Sequence, residues 1–247
     1  MAHKRFIDAF GVIFLDMGNT FMFECDRFGP DIDYFASYRD VGGDSLDAGT
    51  VSAVINHLFE RVLFDYCDPR NFDHFGTIAD YLRELPGARS LPARELSILE
   101  EVFARHEAGR VPASHAAVLS ELSLTHPLGV VSNIWSPCHI FEKELRRVGV
   151  IDVFDVIVWS SSHGCIKPSA RLFLKALEHF EAVPPEVLFV GDDPERDILG
   201  ARSVGMSAAW ICDGKGQFPP DCPQPDVVLS DLSNLLSADI QNGKGTA

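Results

Sequence analysis

The sequence lacks the features that mark several broad classes of protein. No apolar stretch reaches about 18 residues, so we expect no membrane span. No cluster of Lys or Arg is present, and 21 basic residues stand against 36 acidic ones, which gives a formal net charge of −15. Because nucleic acids and anionic membranes attract basic surfaces, we expect neither as a partner. The chain also has no internal repeat and no low-complexity tract, and its 46% of hydrophobic residues indicates a folded protein.

The cysteines show no spacing that is typical of a metal site or a disulfide framework. The chain has 6 cysteines without a CxxC pair. The first residues, MAHKRFIDAF, are too few and too polar for a signal peptide. We therefore expect free thiols and a cytoplasmic protein.

Four short apolar runs each lead to a residue type that is common in catalysis. The runs are GVIFLDMGNT (11–20), LGVVSN (128–133), FDVIVW leading to CIKP (154–168) and VLFVGDD (187–193). Such runs are typical of strands that are buried on both faces of a parallel sheet, whose ligand sites lie beyond the carboxyl ends of the strands. The sequence therefore predicts that two carboxylates, a hydroxyl and an ammonium meet at one edge, where they could handle a metal and an anion. They belong to Asp16, Asp192, Ser132 and Lys167.

The rest of the chain divides into a helical part and an alternating part. Helical spacing predicts helices at 45–66, 73–85 and 92–107, and no strand signal stands out between 24 and 110. From 112 onward, helices alternate with strands, which predicts a doubly wound parallel sheet. In that part we expect helices at 112–124, 138–148, 169–181 and 194–204, strands at 128–132 and 207–212, a last strand and helix from 226, a loop at 213–225 and a mobile tail at 241–247.

The order of these motifs resembles that of the haloacid dehalogenase superfamily, most of whose members are Mg²⁺-dependent phosphatases with an aspartate nucleophile. The resemblance covers about two-thirds of the chain and is best in 154–180 and 187–206. It implies an α/β fold with a Rossmann-type parallel sheet. It also implies a catalytic core formed by residues 1–22 and 110–247, with an all-helical cap domain at 23–109 inserted after the first motif.

The resemblance implies a nucleophile and a metal site. Asp16 would attack phosphorus and form an aspartyl-phosphate, which divides hydrolysis into two easier steps. Asp16, Asp192 and the main-chain carbonyl of Gly18 would bind Mg²⁺, which prefers oxygen ligands. Asp197 would orient the site without touching the metal, and Asp193 fits the N-cap of a helix.

The remaining motif residues would hold the phosphate. Ser132 and Asn133 would supply a hydroxyl and a main-chain N–H to the transferring phosphoryl group, and Lys167 would stabilise charge on both nucleophile and phosphate. Thr20 would give its hydroxyl to the loop or to the phosphate. The expected substrate is a small phosphorylated metabolite, and the protein would act as a monomer or homodimer.

Gly18 departs from the family pattern. Phosphatases of this family usually place a second aspartate two residues after the nucleophile, where it protonates the leaving oxygen and later activates water. Such general acid–base help contributes about 10² to 10⁴ in rate. Three possibilities stay open: a leaving group that departs unprotonated, an acid supplied by the cap or by water, or no phosphatase chemistry. The alternatives to a phosphatase are a 2-haloacid dehalogenase, which needs no metal, and a binding protein on a disabled hydrolase fold.

Residues that could select the substrate are weakly marked in the sequence. Trp135 and His139 follow the second motif, and Arg70 or His74 could reach across from the cap. Each of these residue types is more often an ordinary core or surface residue than a ligand.

Overall fold

A single parallel sheet is formed by strands from both ends of the described chain. The computed structural model describes residues 5–212, 214 and 217–237, so the tail predicted at 241–247 lies outside the described residues. Six strands are found in the described part: Val12–Leu15 (β1), Leu128–Ser132 (β2), Val156–Trp159 (β3), Val187–Gly191 (β4), Ser207–Ile211 (β5) and Val227–Leu229 (β6). They are hydrogen-bonded in the order β3-β2-β1-β4-β5-β6, and every neighbouring pair is parallel. The predicted α/β fold with a doubly wound sheet is confirmed.

Helices cover both faces of this sheet, and alternate residues of its strands point to opposite faces. Ile13 and Leu15 of β1 pack in one apolar cluster with residues of two helices, Ala113–Ser123 (α5) and His139–Arg147 (α6). Phe14, between them in sequence, packs on the other face with two further helices. These are Ala170–Phe180 (α7) and Leu199–Ser203 (α8). Burial on both faces explains why the strands are continuous apolar runs.

The segment between β1 and α5 contains four further helices. They are Tyr34–Asp40 (α1), Ala48–Tyr66 (α2), Ile78–Glu84 (α3) and Ala93–Glu107 (α4). Their apolar faces share a core of their own, which Trp135 and Ile166 join from the part of the chain that contains the sheet. None of the helices in the part of the chain described here is long and apolar enough to cross a membrane.

Helix boundaries differ from the predicted ones where side chains cap the backbone. The helix predicted at 73–85 begins only after Thr77, because the Thr77 and Asp80 side chains form a capping box there. The short helix α1 was not predicted, and Asp33 caps it by accepting from the Ala36 N–H. The helix predicted at 194–204 is a π-helical turn, Pro194–Ile198, followed by α8. The last predicted helix is a 3₁₀ helix, Leu232–Leu236.

The chain enters and leaves the helical segment along two adjacent backbone segments. We call residues 23–27 the outgoing crossing and residues 107–111 the returning crossing. Phe23 and Arg110 exchange both backbone hydrogen bonds, at 2.8 and 2.7 Å. Gly109 allows this close approach, because a Cβ there would lie 2.2 Å from the carbonyl oxygen of Phe23. The paired residues lie at the boundary that the sequence suggested, and the division into a core and a cap stays a prediction.

Glu144 of α6 anchors the returning crossing. Its carboxylate accepts hydrogen bonds from Arg110, Arg147 and the Val111 N–H at 2.7 to 2.9 Å. The Arg147 guanidinium, helped by Val111 and Arg110 against the opposing effect of burial, lowers the pKa of Glu144 to about 2. Glu144 therefore stabilises the fold at neutral pH, and this contribution is lost as the pH falls from the usual carboxyl range toward 2.

We expect Glu144→Gln to lower the free energy of unfolding by about 1.5–3 kcal/mol at neutral pH, because hydrogen bonds to a charged group are lost. Urea unfolding measures the change. Glu142→Gln on the same helix is the control, since its pair with Arg146 lies at the surface and contributes about 0.5 kcal/mol or less. The difference between Glu144→Gln and wild type should shrink at acid pH. Equal effects of the two substitutions at neutral pH would contradict this account of Glu144.

Candidate active site

The predicted residues meet at the carboxyl edge of the sheet. Asp16 directly follows β1, Ser132 is the last residue of β2, and Asp192 directly follows β4. Lys167 arrives on the loop between β3 and α7. Since β1 lies between β2 and β4 in the sheet, these positions are neighbours in space although they are far apart in sequence.

Lys167 lies buried between two carboxylates. Its Nζ is 2.5 Å from Oδ1 of Asp16 and 2.6 Å from Oδ1 of Asp197, and its side chain is 2% exposed. Burial alone would lower the pKa of Lys167, but Asp16 and Asp197 outweigh burial and raise it. Lys167 is therefore a fixed positive charge at neutral pH.

The loop after β1 holds Asp16 by backbone contacts. The Asp16 N–H donates to the carbonyl of Val190 in β4 at 2.8 Å, and the Met17 carbonyl accepts from the N–H groups of the next turn. Asn19 has a φ of 50°, a left-handed conformation that Asn adopts more readily than most residues. Gly18 does not have such a φ, and a Cβ built on it would meet nothing within 4 Å. The backbone therefore does not require glycine at position 18.

The loop after β4 holds Asp197. Its Oδ2 accepts from the Asp193 N–H at 3.0 Å while its Oδ1 binds Lys167. Gly191 leaves the space for this carboxylate, since a Cβ there would lie 2.3 Å from Oδ2 of Asp197. Asp193 caps the following π-helical turn by accepting from the Glu195 and Arg196 N–H groups, as its sequence context predicts. Asp197 thus orients Lys167 and this loop.

Three carboxylates form a cluster that fits a hard divalent cation. Asp16, Asp192 and Asp197 each offer an oxygen, and these oxygens lie within 4.8 Å of one another. Burial, with the nearby charge of Asp16, raises the pKa of Asp192 to about 7. Burial likewise raises the pKa of Asp197 against the pull of Lys167. One ammonium does not balance three crowded carboxylates, and oxygen donors are the ligands that Mg²⁺ prefers.

The predicted phosphate-binding residues are only partly gathered around the carboxylates. The Asn133 side chain accepts from the Lys167 N–H at 2.8 Å and donates to the Tyr66 hydroxyl at 3.0 Å, so it positions the lysine loop. Ser132 is buried beside Asn133 at the end of β2. Thr20 is buried next to a second cavity, and its hydroxyl has no hydrogen-bond partner among the described residues.

The active-site cavity has a volume of about 150 Å³ and contains residues from both parts of the chain. Asp16, Lys167 and the loop after β4 line this cavity, together with residues that the sequence did not single out. The latter are Asn19, Cys25, Asp26, Tyr66 and Arg196. Burial raises the pKa of Tyr66 to about 12, which keeps its hydroxyl neutral.

Arg196 joins the last motif to the helical segment. Its guanidinium lies 4.3 Å from the ring centres of both Tyr66 and Phe72. It also donates to the carbonyl of Tyr66 at 2.7 Å and to that of Lys167 at 2.9 Å. The only sequence signal for this role is an arginine inside the last motif, DPERD. Its cation–π contact with Tyr66 and its hydrogen bond to the Tyr66 carbonyl link this loop to the end of α2.

The four weakly marked candidates lie elsewhere. Trp135 is buried, and its ring is 5.4 Å from that of Tyr66, so it packs behind the cavity. His139 pairs with Glu101 at 2.8 Å, and Arg70 pairs with Asp68. His74 lines a different cavity beside α3. None of the four is among the residues that line the active-site cavity of the described chain.

Comparisons with known proteins relate the chain to hydrolases. A family model described as haloacid dehalogenase-like hydrolase matches residues 50–211. A phosphoserine phosphatase of Thermus thermophilus is 34% identical over 97 residues, which are 39% of each chain. A glyceraldehyde 3-phosphate phosphatase of Pyrococcus abyssi is 33% identical over 135 residues, which are 55% of this chain and 45% of that protein. The chain therefore spans less than half the length of either relative.

Solved structures of other proteins have a similar fold. A 2-haloacid dehalogenase from Pseudomonas syringae superimposes with a TM-score of 0.63 at 21% identity, over 93% of this chain and 97% of that one. At this identity the likeness concerns the fold alone. The two relatives by sequence described above carry phosphatase names, whereas this structural neighbour carries a dehalogenase name.

Proposed function

Because the chain belongs to the haloacid dehalogenase-like hydrolases, we propose that it is a Mg²⁺-dependent phosphatase that hydrolyses a small phosphorylated metabolite through an aspartyl-phosphate on Asp16. We place it in the cytoplasm, as a monomer or homodimer. The phosphatase names of its relatives by sequence support this activity.

The observation that carries the proposal is the cluster of three carboxylates around Lys167. A metal-independent dehalogenase needs one carboxylate to attack carbon, and although Asp197 would still hold Lys167, Asp192 would be unexplained. A phosphatase needs a cation because both its nucleophile and its substrate are anionic. The oxygens of Asp16, Asp192 and Asp197 lie within 4.8 Å of one another, which suits that requirement.

Each residue of the site has its own role in the proposed reaction, which begins with formation of the aspartyl-phosphate. A carboxylate oxygen of Asp16 attacks phosphorus, and the bond from phosphorus to the leaving oxygen breaks. Lys167 faces the nucleophile and stabilises negative charge on the phosphoryl oxygens, with Asp197 holding its ammonium in place. The Ser132 hydroxyl and the Asn133 main-chain N–H complete the phosphate site, and the Thr20 hydroxyl is available to it. Water then attacks phosphorus and restores the Asp16 carboxylate.

Asp16, Asp192 and the Gly18 carbonyl would hold Mg²⁺, with Asp197 beside them. When bound, the ion neutralises charge that otherwise repels an anionic nucleophile from an anionic ester. The helical segment would act as a lid that excludes bulk water and selects the leaving group. Tyr66 and Arg196 form one of the contacts between this segment and the core, at the wall of the cavity.

Release of inorganic phosphate tests the proposal. We expect turnover of p-nitrophenyl phosphate, acetyl phosphate and at least one alkyl phosphate, with Mg²⁺ required and EDTA abolishing activity. The panel includes phosphoserine and glyceraldehyde 3-phosphate, which the names of the two relatives suggest. Activity that persists in EDTA, or no phosphate release from any phosphate ester, would contradict the proposal.

The fold and Gly18 keep a 2-haloacid dehalogenase as the second candidate. The structural neighbour carries that name, and that reaction does not use an aspartate at position 18. Release of chloride from 2-chloropropionate without metal, in the absence of phosphatase activity, would favour it. Release of neither phosphate nor chloride would favour a binding protein on a hydrolase fold.

A further inference from the structure

The cavity contains a carboxyl group that no step above uses. Asp26 lies on the crossing from β1 to the helical segment, and it lines the same cavity as Asp16, Gly18 and Lys167. It is accessible to solvent. In the described part of the chain, its side chain has no hydrogen bond and no ion pair.

The other aspartates of this cavity already have roles. Asp16 and Asp197 bind Lys167, Asp193 caps the turn after β4, and Asp192 belongs to the proposed cation site. Of the five aspartates that line the cavity, only Asp26 is left to exchange a proton with substrate or water.

The backbone fixes Asp26 at this position. Its N–H donates to the carbonyl of Glu107 on the returning crossing at 3.0 Å, and the Arg27 N–H donates to that of His106 at 2.8 Å. The Asp26 φ of 54° is left-handed, a conformation that Asp tolerates better than most residues. The Arg27 guanidinium is bound to three main-chain carbonyls, those of Glu24, Arg105 and Ala108, and so does not pair with Asp26.

The neighbouring groups are either very weak acids or lie outside the cavity. The Cys25 thiol donates to the Met22 carbonyl, and burial raises its pKa to about 12. Burial raises the pKa of Glu107 to about 8, but Glu107 does not line the cavity, and its two oxygens accept from the Trp135 and Ser136 N–H groups. The Tyr66 hydroxyl accepts from Asn133.

We propose that Asp26 is the general acid–base catalyst of this active site and replaces the aspartate that Gly18 lacks. The proposal rests on the proposed phosphatase function. As Asp16 attacks phosphorus, the proton of the Asp26 carboxyl passes to the leaving oxygen, and the products are the alcohol and the Asp26 carboxylate. In the second step this carboxylate takes a proton from the water that attacks phosphorus, which restores both aspartates and releases phosphate.

The electrostatics of Asp26 suit both halves of this cycle. Although Asp26 is accessible to solvent, the protein around its carboxyl desolvates it in part and raises its pKa to about 6, against the pull of Arg27. The charged and titratable groups that act on it are Cys25, Arg27 and Glu107, and Asp16 lines the same cavity. An acid–base catalyst works best when its pKa lies near the working pH.

Leaving-group dependence tests the proposal. Alkyl phosphates need a proton on the leaving oxygen, whereas p-nitrophenyl phosphate and acetyl phosphate do not. We expect Asp26→Asn to lower the ratio of kcat/KM for the best alkyl phosphate to kcat/KM for p-nitrophenyl phosphate by about 10² or more. Asp31→Asn, the same change at an exposed position outside the cavity, should leave the ratio unchanged. Gly18→Asp should restore the ratio in the Asp26→Asn background, since position 18 has room for a side chain.

The pH profile gives a second readout. For alkyl phosphates, wild-type kcat should decline as the pH rises above about 6, because Asp26 loses its proton, and this limb should be absent in Asp26→Asn. An unchanged ratio in Asp26→Asn, equal losses on both substrate types, or a wild type that cleaves no alkyl phosphate would each overturn the role of Asp26. These outcomes are distinct from failure of the proposed function, in which no phosphate ester is cleaved at all.

Discussion

Asp16→Asn should abolish phosphate release and leave the fold intact. The amide has the shape of the carboxylate but cannot form an aspartyl-phosphate, so we expect kcat to fall by about 10⁴-fold or more. Lys167 keeps Asp197 as a partner at 2.6 Å, so the buried ammonium is not left without a counter-charge. A phosphate-release assay with Mg²⁺ and p-nitrophenyl phosphate measures the loss.

Asp152→Asn is the matched control for this change, because Asp152 is exposed at the opposite end of the sheet, before β3. It should keep wild-type activity. Asp16→Asn that is folded by circular dichroism and still turns over phosphate esters at a rate near wild type would exclude Asp16 as the nucleophile.

Lys167→Met should cost both activity and stability. Methionine has a similar length but no charge, so Asp16 and Asp197 would face each other and Asp192 without the ammonium between them. Removing one partner from a buried set of charges costs about 3–5 kcal/mol of unfolding free energy. Loss of a fixed positive charge at the phosphate should also lower kcat by about 10² to 10³-fold. Urea unfolding and the phosphate-release assay measure the two effects.

A second substitution separates charge from packing in this prediction. Asp197→Asn added to Lys167→Met removes one of the crowded carboxylates, so the double variant should be more stable than Lys167→Met alone. Mg²⁺ should also raise the unfolding midpoint of Lys167→Met. An unfolding free energy of Lys167→Met within about 0.5 kcal/mol of wild type would mean that the buried ion set does not hold this edge together.

The sheet and the four motif residues could be predicted because they depend on local sequence. Each apolar run is long enough for one buried strand, and the residue that ends it must lie at the carboxyl edge in any parallel arrangement. Asp16 and Asp192 therefore come close although they are 176 positions apart in the sequence. The pairing of Lys167 with Asp197 was not predicted, because Lys167 lies on a loop and Asp197 on the turn after β4, and the order of the strands does not fix their distance.

The other half of the cavity could not be predicted because it depends on how the helical segment packs against the core. Nothing in the local pattern of Tyr66 or Arg196 indicates that an aromatic ring on α2 will meet a guanidinium from the last motif. Asp26 was equally hidden, since its position comes from hydrogen bonds between two crossings that are about 80 residues apart in sequence. The sequence did indicate that Gly18 lacks the acid of the family pattern, but it did not indicate which residue could supply the proton.

Trapping of the covalent intermediate tests the central claim most directly. After brief reaction with labelled acetyl phosphate and Mg²⁺, acid-quenched protein should carry phosphate on the peptide that contains Asp16. The label should be absent in EDTA and in Asp16→Asn. Phosphate turnover without a labelled enzyme, or label on another residue, would contradict an aspartyl-phosphate mechanism at this edge of the sheet.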